Sequence, residues 1–182
     1  MNNELLDLFQ SRVNDMGGWC AIAGSSKEIN SIIEEKYKLG EEEVLYSGRI
    51  VEQFNDLTVT GTDLTNISPD KRRDVMAGAK LGITMCDGLI AETGTAVLVN
   101  HIAEPRELSL LPERHVVIAL SDQLYPTLDK CLEKIKNSYP AGKLPSITLI
   151  SGPSRTSDIE KSLVVGVHGP VEFGVVVVDR GK

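Results

Sequence analysis

Three cysteines are all that the 182-residue chain contains: Cys20, Cys86 and Cys131, far apart and with no C-x-x-C pair. Their spacing supplies neither a disulfide framework nor a zinc or iron–sulfur ligand set, and an odd, sparse count fits a reducing compartment. Aromatic residues are equally scarce. They make up 4% of the chain and are scattered, so nothing resembles a base-stacking platform. An excess of positive charge is missing too. The net charge is −7; residues 1–60 hold 5 Lys/Arg against 11 Asp/Glu, and residues 61–182 hold 14 against 15. A nucleic-acid partner is therefore not expected.

Long apolar runs are absent as well, none approaching the roughly 18 residues that a membrane span needs. The start, Met1-Asn-Asn-Glu-Leu-Leu-Asp-Leu-Phe9, is amphipathic and acidic rather than a basic stretch followed by an apolar core, so no secretory leader is expected. Together these absences predict a soluble cytoplasmic protein. No G-x-G-x-x-G follows a strand, and Gly82-Ile-Thr-Met-Cys-Asp-Gly88 is not a phosphate loop, which argues against a dinucleotide enzyme. His101, His115 and His168 include no pair with ligand spacing, so a protein-bound metal is not expected.

What is present is an alternation of helical periodicity and β-branched runs. Leu5, Leu6, Phe9 and Val13 recur at helical spacing before Gly17-Gly18. Trp19–Ala23 reads as a strand, and Ser25 or Ser26 caps a helix carrying Ile29, Ile32, Ile33 and Tyr37, with Gly40 placed to end it. Val44–Tyr46 and Leu57–Thr60 are short strand candidates, and Ser68-Pro69-Asp70 opens a helix through Ala79. Leu89–Ala91, Thr95–Val99, Val116–Leu120, Ile147–Ile150 and Val175–Val178 are apolar strands, with a helix marked by Leu124, Leu128, Leu132 and Ile135 finishing near Asn137. Such strands alternating with amphipathic helices predict an α/β fold with a mostly parallel central sheet flanked by helices, in one domain over residues 1–182.

Three segments carry polar groups where the pattern expects core. In Asp87-Gly-Leu-Ile-Ala-Glu92-Thr93-Gly94-Thr95, two carboxylates and two hydroxyls interrupt buried strands, and a carboxylate there needs a partner. Glu92 reads either as a strand-end residue bonded to backbone amides or as a nucleophile or base held by Thr93 and Thr95. In Ser151-Gly152-Pro153-Ser154-Arg155-Thr156-Ser157-Asp158-Ile-Glu160, a strand end is followed by what reads as a helix start, Ser157 and Glu160 forming a capping box. Gly152, Ser154, Arg155 and Thr156 are then left to reach an anion, a carboxylate or a phosphate. Arg155 reads equally as the partner of Glu92 or Asp158. In Val165-Gly-Val-His168-Gly-Pro170, His168 is either a hydrogen-bonded turn residue or a catalytic group; His101 and His115 have no comparable company in the sequence.

Gly82-Ile-Thr, Asp87, Ala91-Glu-Thr-Gly-Thr95, Leu110-Leu-Pro112, Ser151–Thr156, Asp158-Ile-Glu160 and Gly166-Val-His-Gly-Pro170 together resemble the LUD domain family of lactate-utilisation C proteins, with the motifs concentrated in residues 82–179. The resemblance implies a fold similar to that of ribose-5-phosphate isomerase, CoA transferases and formyltetrahydrofolate cyclo-ligase. It also implies a role in bacterial oxidation of L-lactate to pyruvate beside partner subunits that carry iron–sulfur clusters, with no cofactor in this chain. Position 86 departs from the smaller residues expected in relatives, and Cys86 is expected to be buried as a small apolar residue.

Two functions follow as expectations. The first is a non-redox or accessory subunit of a lactate-utilising system, binding a small carboxylate or its partners at the strand ends. The alternative is a free-standing enzyme of the CoA-transferase or sugar-phosphate-isomerase type, with Glu92 as nucleophile or base and Arg155 as anion clamp, or a pure binding module. In either, Glu92, Arg155 and His168 are expected to form the walls of one site.

Overall fold

Helical spacing and β-branched runs resolve into five helices and twelve strands in the computed structural model, which describes residues 2–38, 40, 43–54, 57, 61–99, 106–139, 145–157, 163–165 and 169–179. The first half holds α1 (Asn3–Asp15), β1 (Trp19–Ala23), α2 (Ser26–Lys36), β2 (Val44–Tyr46), α3 (Gly48–Gln53), β3 (Thr62–Asp63), α4 (Pro69–Ala77), β4 (Leu81–Met85), β5 (Gly88–Ile90) and β6 (Thr95–Val99). The second half holds β7 (Arg114–Leu120), β8 (Leu124–Tyr125), α5 (Leu128–Asn137), β9 (Ile147–Ile150), β10 (Arg155–Ser157), β11 (Leu163–Val165) and β12 (Glu172–Val178).

The central sheet has the order β1-β12-β7-β4-β2-β3 and is parallel throughout. Its middle strands are buried on both faces, which is why they read as unbroken Val/Ile/Leu runs. Side chains alternate across the pleat. Ile83, Val116, Ile118, Val176 and Val178 pack with Ile29, Ile33 and Ile50 of α2 and α3, whereas Val117, Ala119, Val175 and Val177 pack with Leu6, Phe9 and Val13 of α1. Each such buried valine contributes about 1.5–3 kcal/mol of transfer free energy. A second sheet, β8-β5-β6-β9, lies beyond this second face and is covered by α5 through Ile90, Val97, Cys131 and Ile135. The expected α/β architecture is present, with the four-stranded sheet as an additional layer.

Caps fix the helix starts. Asn2, Ser25, Ser47 and Thr127 accept from the first turns of α1, α2, α3 and α5. Three helix boundaries differ from the sequence reading, the first being that α4 ends at Ala77 rather than Ala79. The α2 helix stops at Lys36, not at Gly40, because Tyr37 turns extended (φ −129°, ψ 107°) and its ring is buried against the core. Leu124 belongs to β8, parallel to β5, so α5 begins only after Pro126. Of the strand candidate Leu57–Thr60, residues 58–60 lie outside the described residues.

A larger difference concerns Ser154 to Ser157. Arg155–Ser157 is not a helix start but the strand β10, antiparallel to β11 with Arg155 opposite Val165. Short polar residues suit a helix cap or an edge strand, and the ladder to Leu163–Val165 decides between them. Asp158 and Glu160 lie outside the described residues.

Candidate functional site

The strand-end segments meet because β6 and β9 are antiparallel with Ala96 opposite Ile150. That register sets Thr95 beside Ser151. Their hydroxyl oxygens are 2.7 Å apart, and Thr93 Oγ1 is 2.7 Å from Thr95 Oγ1, giving a chain of three hydroxyls. Thr95 is buried, while Thr93 and Ser151 are exposed at the two ends. Gly94 makes the bend possible. It has φ +64°, and a Cβ there would lie 2.6 Å from the Val13 backbone nitrogen, so α1 packs directly on the turn. Gly152, at φ +118°, repeats this device against Met16 at the end of α1.

Ser151 opens onto a cleft of about 220 Å³, whose walls include Ser109, His115, Ser154, Pro170 and Phe173. The cleft lies at the amino end of the central sheet: His115 is the second residue of β7 and faces Phe173, the second of β12. A bond from the Ser154 backbone N–H to the Pro170 carbonyl (2.8 Å) ties two walls together. Among the described residues, none lining the cleft carries a formal charge.

The two charged candidates are engaged elsewhere. Glu92 is exposed and does not line the cleft; its Oε1 accepts from the Leu128 N–H at 2.9 Å, the first residue of α5. A carboxylate at a helix N-terminus satisfies a free donor and opposes the positive end of the helix dipole. Arg155 Nη2 donates to the Met16 carbonyl at 2.7 Å, closing the C-terminal end of α1 where carbonyls lack partners. Glu92 is not its partner among the described residues, and Asp158 lies outside them.

Of the expected site residues, the structure thus brings Gly152 and Ser154 to the cleft and links Thr93 and Thr95 to it through Ser151. Gly94 shapes the turn. Glu92, in the turn between β5 and β6, and Arg155, at the start of β10, are each bonded to a helix end. The backbone of Thr156 lies in β10, but its side chain and all of His168 are outside the described residues, so the three-walled site of Glu92, Arg155 and His168 is not assembled among them.

Asp87, the other carboxylate in the apolar stretch, is held by Arg49: Nη2 to Oδ1 at 3.1 Å and Nη1 to Oδ2 at 3.4 Å, with the Val99 N–H donating to Oδ2 at 2.8 Å. Cys86 is buried, as expected of a small apolar residue. Burial pushes the Cys20 thiol up to about 12, against a small opposing effect of its hydrogen bond to Gln10, and that of Cys131 up to about 11, so both are protonated at neutral pH. Among the described residues no group of three or more His, Cys, Asp or Glu is arranged to hold a metal ion, and no helix is long and apolar enough to cross a membrane.

His115 is the group that sequence reasoning passed over. It is fully buried, its Nε2 is 2.9 Å from Thr84 Oγ1, and its ring centroid is 5.8 Å from that of Phe173. Among the described residues its Nδ1 has no hydrogen-bond partner. Desolvation lowers its pKa from 6.5 to about 3, so the ring is neutral at physiological pH. No local motif signals this, since Thr84 is 31 residues away and reaches His115 only through the parallel pairing of β4 with β7.

Known proteins are similar to this chain in sequence and in fold. A Lactate utilization protein C 1 from Bacillus mycoides is 42% identical over 114 residues, which is 60% of this chain and 49% of that protein. Lactate utilization protein C from Shouchella clausii is 42% identical over 102 residues, 56% of this chain and 44% of that protein. The chain thus spans about half the length of these curated relatives. A crystal structure of a DUF162 family protein from Deinococcus radiodurans superposes with a TM-score of 0.73 at 25% identity, covering 98% of this chain and 99% of that one. With the LUD domain model matching residues 8–178, the chain belongs to the LUD domain family.

Proposed function

We propose that the protein acts in lactate utilisation as a non-redox component that works beside iron–sulfur subunits and binds a small carboxylate at the cleft by Ser151. The observation that carries the pathway is the 42% identity over 114 residues to a lactate utilization protein C. The ligand class is supported by the convergence of Ser151, Gly152 and Ser154 on a cleft of about 220 Å³. The cysteine spacing offers no cluster-ligating set, so electrons would pass through partner subunits in a reducing cytoplasm.

The test is complementation. Expressed in a bacterium lacking its own lactate utilization protein C, the full chain should restore growth on L-lactate and co-purify with the iron–sulfur proteins of that system. A well-folded, well-expressed chain that does neither sinks the proposal. The alternative chemistry, attack of the Glu92 carboxylate on an acyl-CoA and exchange to a glutamyl-CoA thioester with the acyl group released as its carboxylate, has less support, because Glu92 Oε1 accepts from the Leu128 N–H. Incubation with acetyl-CoA and intact-mass measurement decides it: a thioester adduct on Glu92 would establish that chemistry.

A further inference from the structure

The chain of three hydroxyls and the two charges bonded to helix ends leave His115 without a role among the described residues. Its Nδ1 is closed to bulk solvent and unpartnered among the described residues, a condition that is costly in a folded protein. Buried polar atoms are otherwise satisfied almost without exception, so an orphan that borders a cavity points to something that fills it. His115 borders this cleft, with Phe173 beside it and Ser154 across from it.

We infer that His115 is the hydrogen-bond anchor of a small-molecule site in the cleft, donating through Nδ1–H to an acceptor oxygen of a ligand that also carries a small apolar group. The inference rests on the reading of this cleft as a binding site but not on the pathway. Three features define the ligand class. First, Thr84 is a positioning residue. With its hydroxyl as the donor to Nε2, 2.9 Å away, the proton stays on Nδ1 and that atom becomes a donor; the opposite tautomer, with Nε2–H donating to Thr84, would overturn the inference. Second, the low pKa keeps the ring neutral, so the part that His115 plays in recognition is hydrogen bonding rather than charge. Third, 220 Å³ corresponds to about seven times the share of one liquid water, room for a molecule of roughly six to eight heavy atoms. Leu110, Ile150 and Phe173 supply the apolar walls. A short 2-hydroxy or 2-oxo acid, or its amide, fits these terms. Because Nδ1 is closed, the ring or a wall shifts when the ligand enters, and that shift is the observable.

Long-range ¹H–¹⁵N spectra of the histidine rings in the full chain, titrated with L-lactate, pyruvate and the uncharged L-lactamide, provide the test. The free protein should show the Nδ1–H tautomer at His115, and at least one probe should move that nitrogen saturably. In Thr84→Val, a near-isosteric change in a strand, the tautomer should be lost and the dissociation constant should rise about ten-fold. Ser154→Ala, at the rim, should weaken binding without altering the tautomer. L-Lactamide binding as well as the acids confirms recognition without charge. The inference is overturned if all three probes leave the His115 signals in place, if only an internal water is seen at Nδ1, or if Thr84→Val binds unchanged. Complementation without these shifts would sink this inference alone, and shifts without complementation would sink only the pathway.

Discussion

Two adjacent rungs of the ladder between β7 and β12 are built in opposite ways. Arg114 pairs with Glu172, and one residue on, His115 pairs with Phe173; the pleat turns the rungs to opposite faces. On the first, Glu172 Oε1 accepts from Trp19 Nε1 (3.1 Å) and from the Tyr37 hydroxyl (2.9 Å), while its Oε2 lies 3.5 Å from Arg114 Nε. Lys36 Nζ caps the indole 4.6 Å from the ring centroid. That network closes on itself. On the second rung a buried imidazole has, among the described residues, one partner and one open nitrogen. The same strands therefore carry a structural polar cluster on one face and an unfinished one on the other, and an unfinished one has the character of a site.

The contrast is broken most forcefully by acid. His115 has its folded pKa depressed, about 3 against 6.5, so the unfolded chain binds its proton first as pH falls. Its stabilising effect is complete above pH 6.5 and is lost progressively between 6.5 and about 3, by at most about 5 kcal/mol. Urea denaturation at pH 7, 5.5 and 4.5 should show that decline in the wild type and a shallower one in His115→Leu. Parallel pH profiles for the two proteins would mean that His115 is not buried neutral.

The closed rung should break through Glu172. Replacing it by Ala strands the Trp19 and Tyr37 donors and removes the partner of Arg114, at a cost of about 2 kcal/mol, of which the half-exposed ion pair contributes little. Glu172→Gln keeps one acceptor and should lose about half as much. The measurement is the urea midpoint at constant slope. Because this network lies on the other face of the sheet, neither change should move the His115 ring signals. A moved His115 resonance would show that the two rungs are coupled and that the division between them is false.

How far the sequence reveals this depends on the range of each interaction. The central strands were legible because Val/Ile/Leu runs mean burial on both faces, and the helices because Leu6, Phe9, Val13 and Ile29, Ile33 repeat at one helical face. The boundary of α5 was not, since Leu124 fits the helical period and only its pairing with β5 makes it strand. Arg155 to Ser157 misled for a similar reason: the partner strand Leu163–Val165 lies beyond the window in which a capping box is read. The hydroxyls of Thr93, Thr95 and Ser151 were legible as polar residues at strand ends. His115 was not, because its company is Thr84 and Phe173, brought in by β4 and β12, and no local pattern encodes a lateral neighbour in a parallel sheet.

Glu92 gives the smallest and most discriminating effect. It stands between the two kinds of polar group: exposed like a catalytic candidate, yet bonded to the first N–H of α5 like the closed network. Removing its charge in Glu92→Gln weakens a cap and a dipole interaction, worth about 0.5–1 kcal/mol at an exposed helix start. A structural carboxylate predicts that loss in thermal or urea denaturation, smaller at high salt, with complementation on L-lactate retained. A carboxylate that does chemistry predicts the reverse, full stability and no growth. Because Thr93 follows it and begins the hydroxyl chain to Ser151, a third signature is informative. If Glu92→Gln shifts the probe affinities read at His115, the turn transmits to the cleft through Thr93, Thr95 and Ser151. Unchanged affinities would confine Glu92 to holding α5.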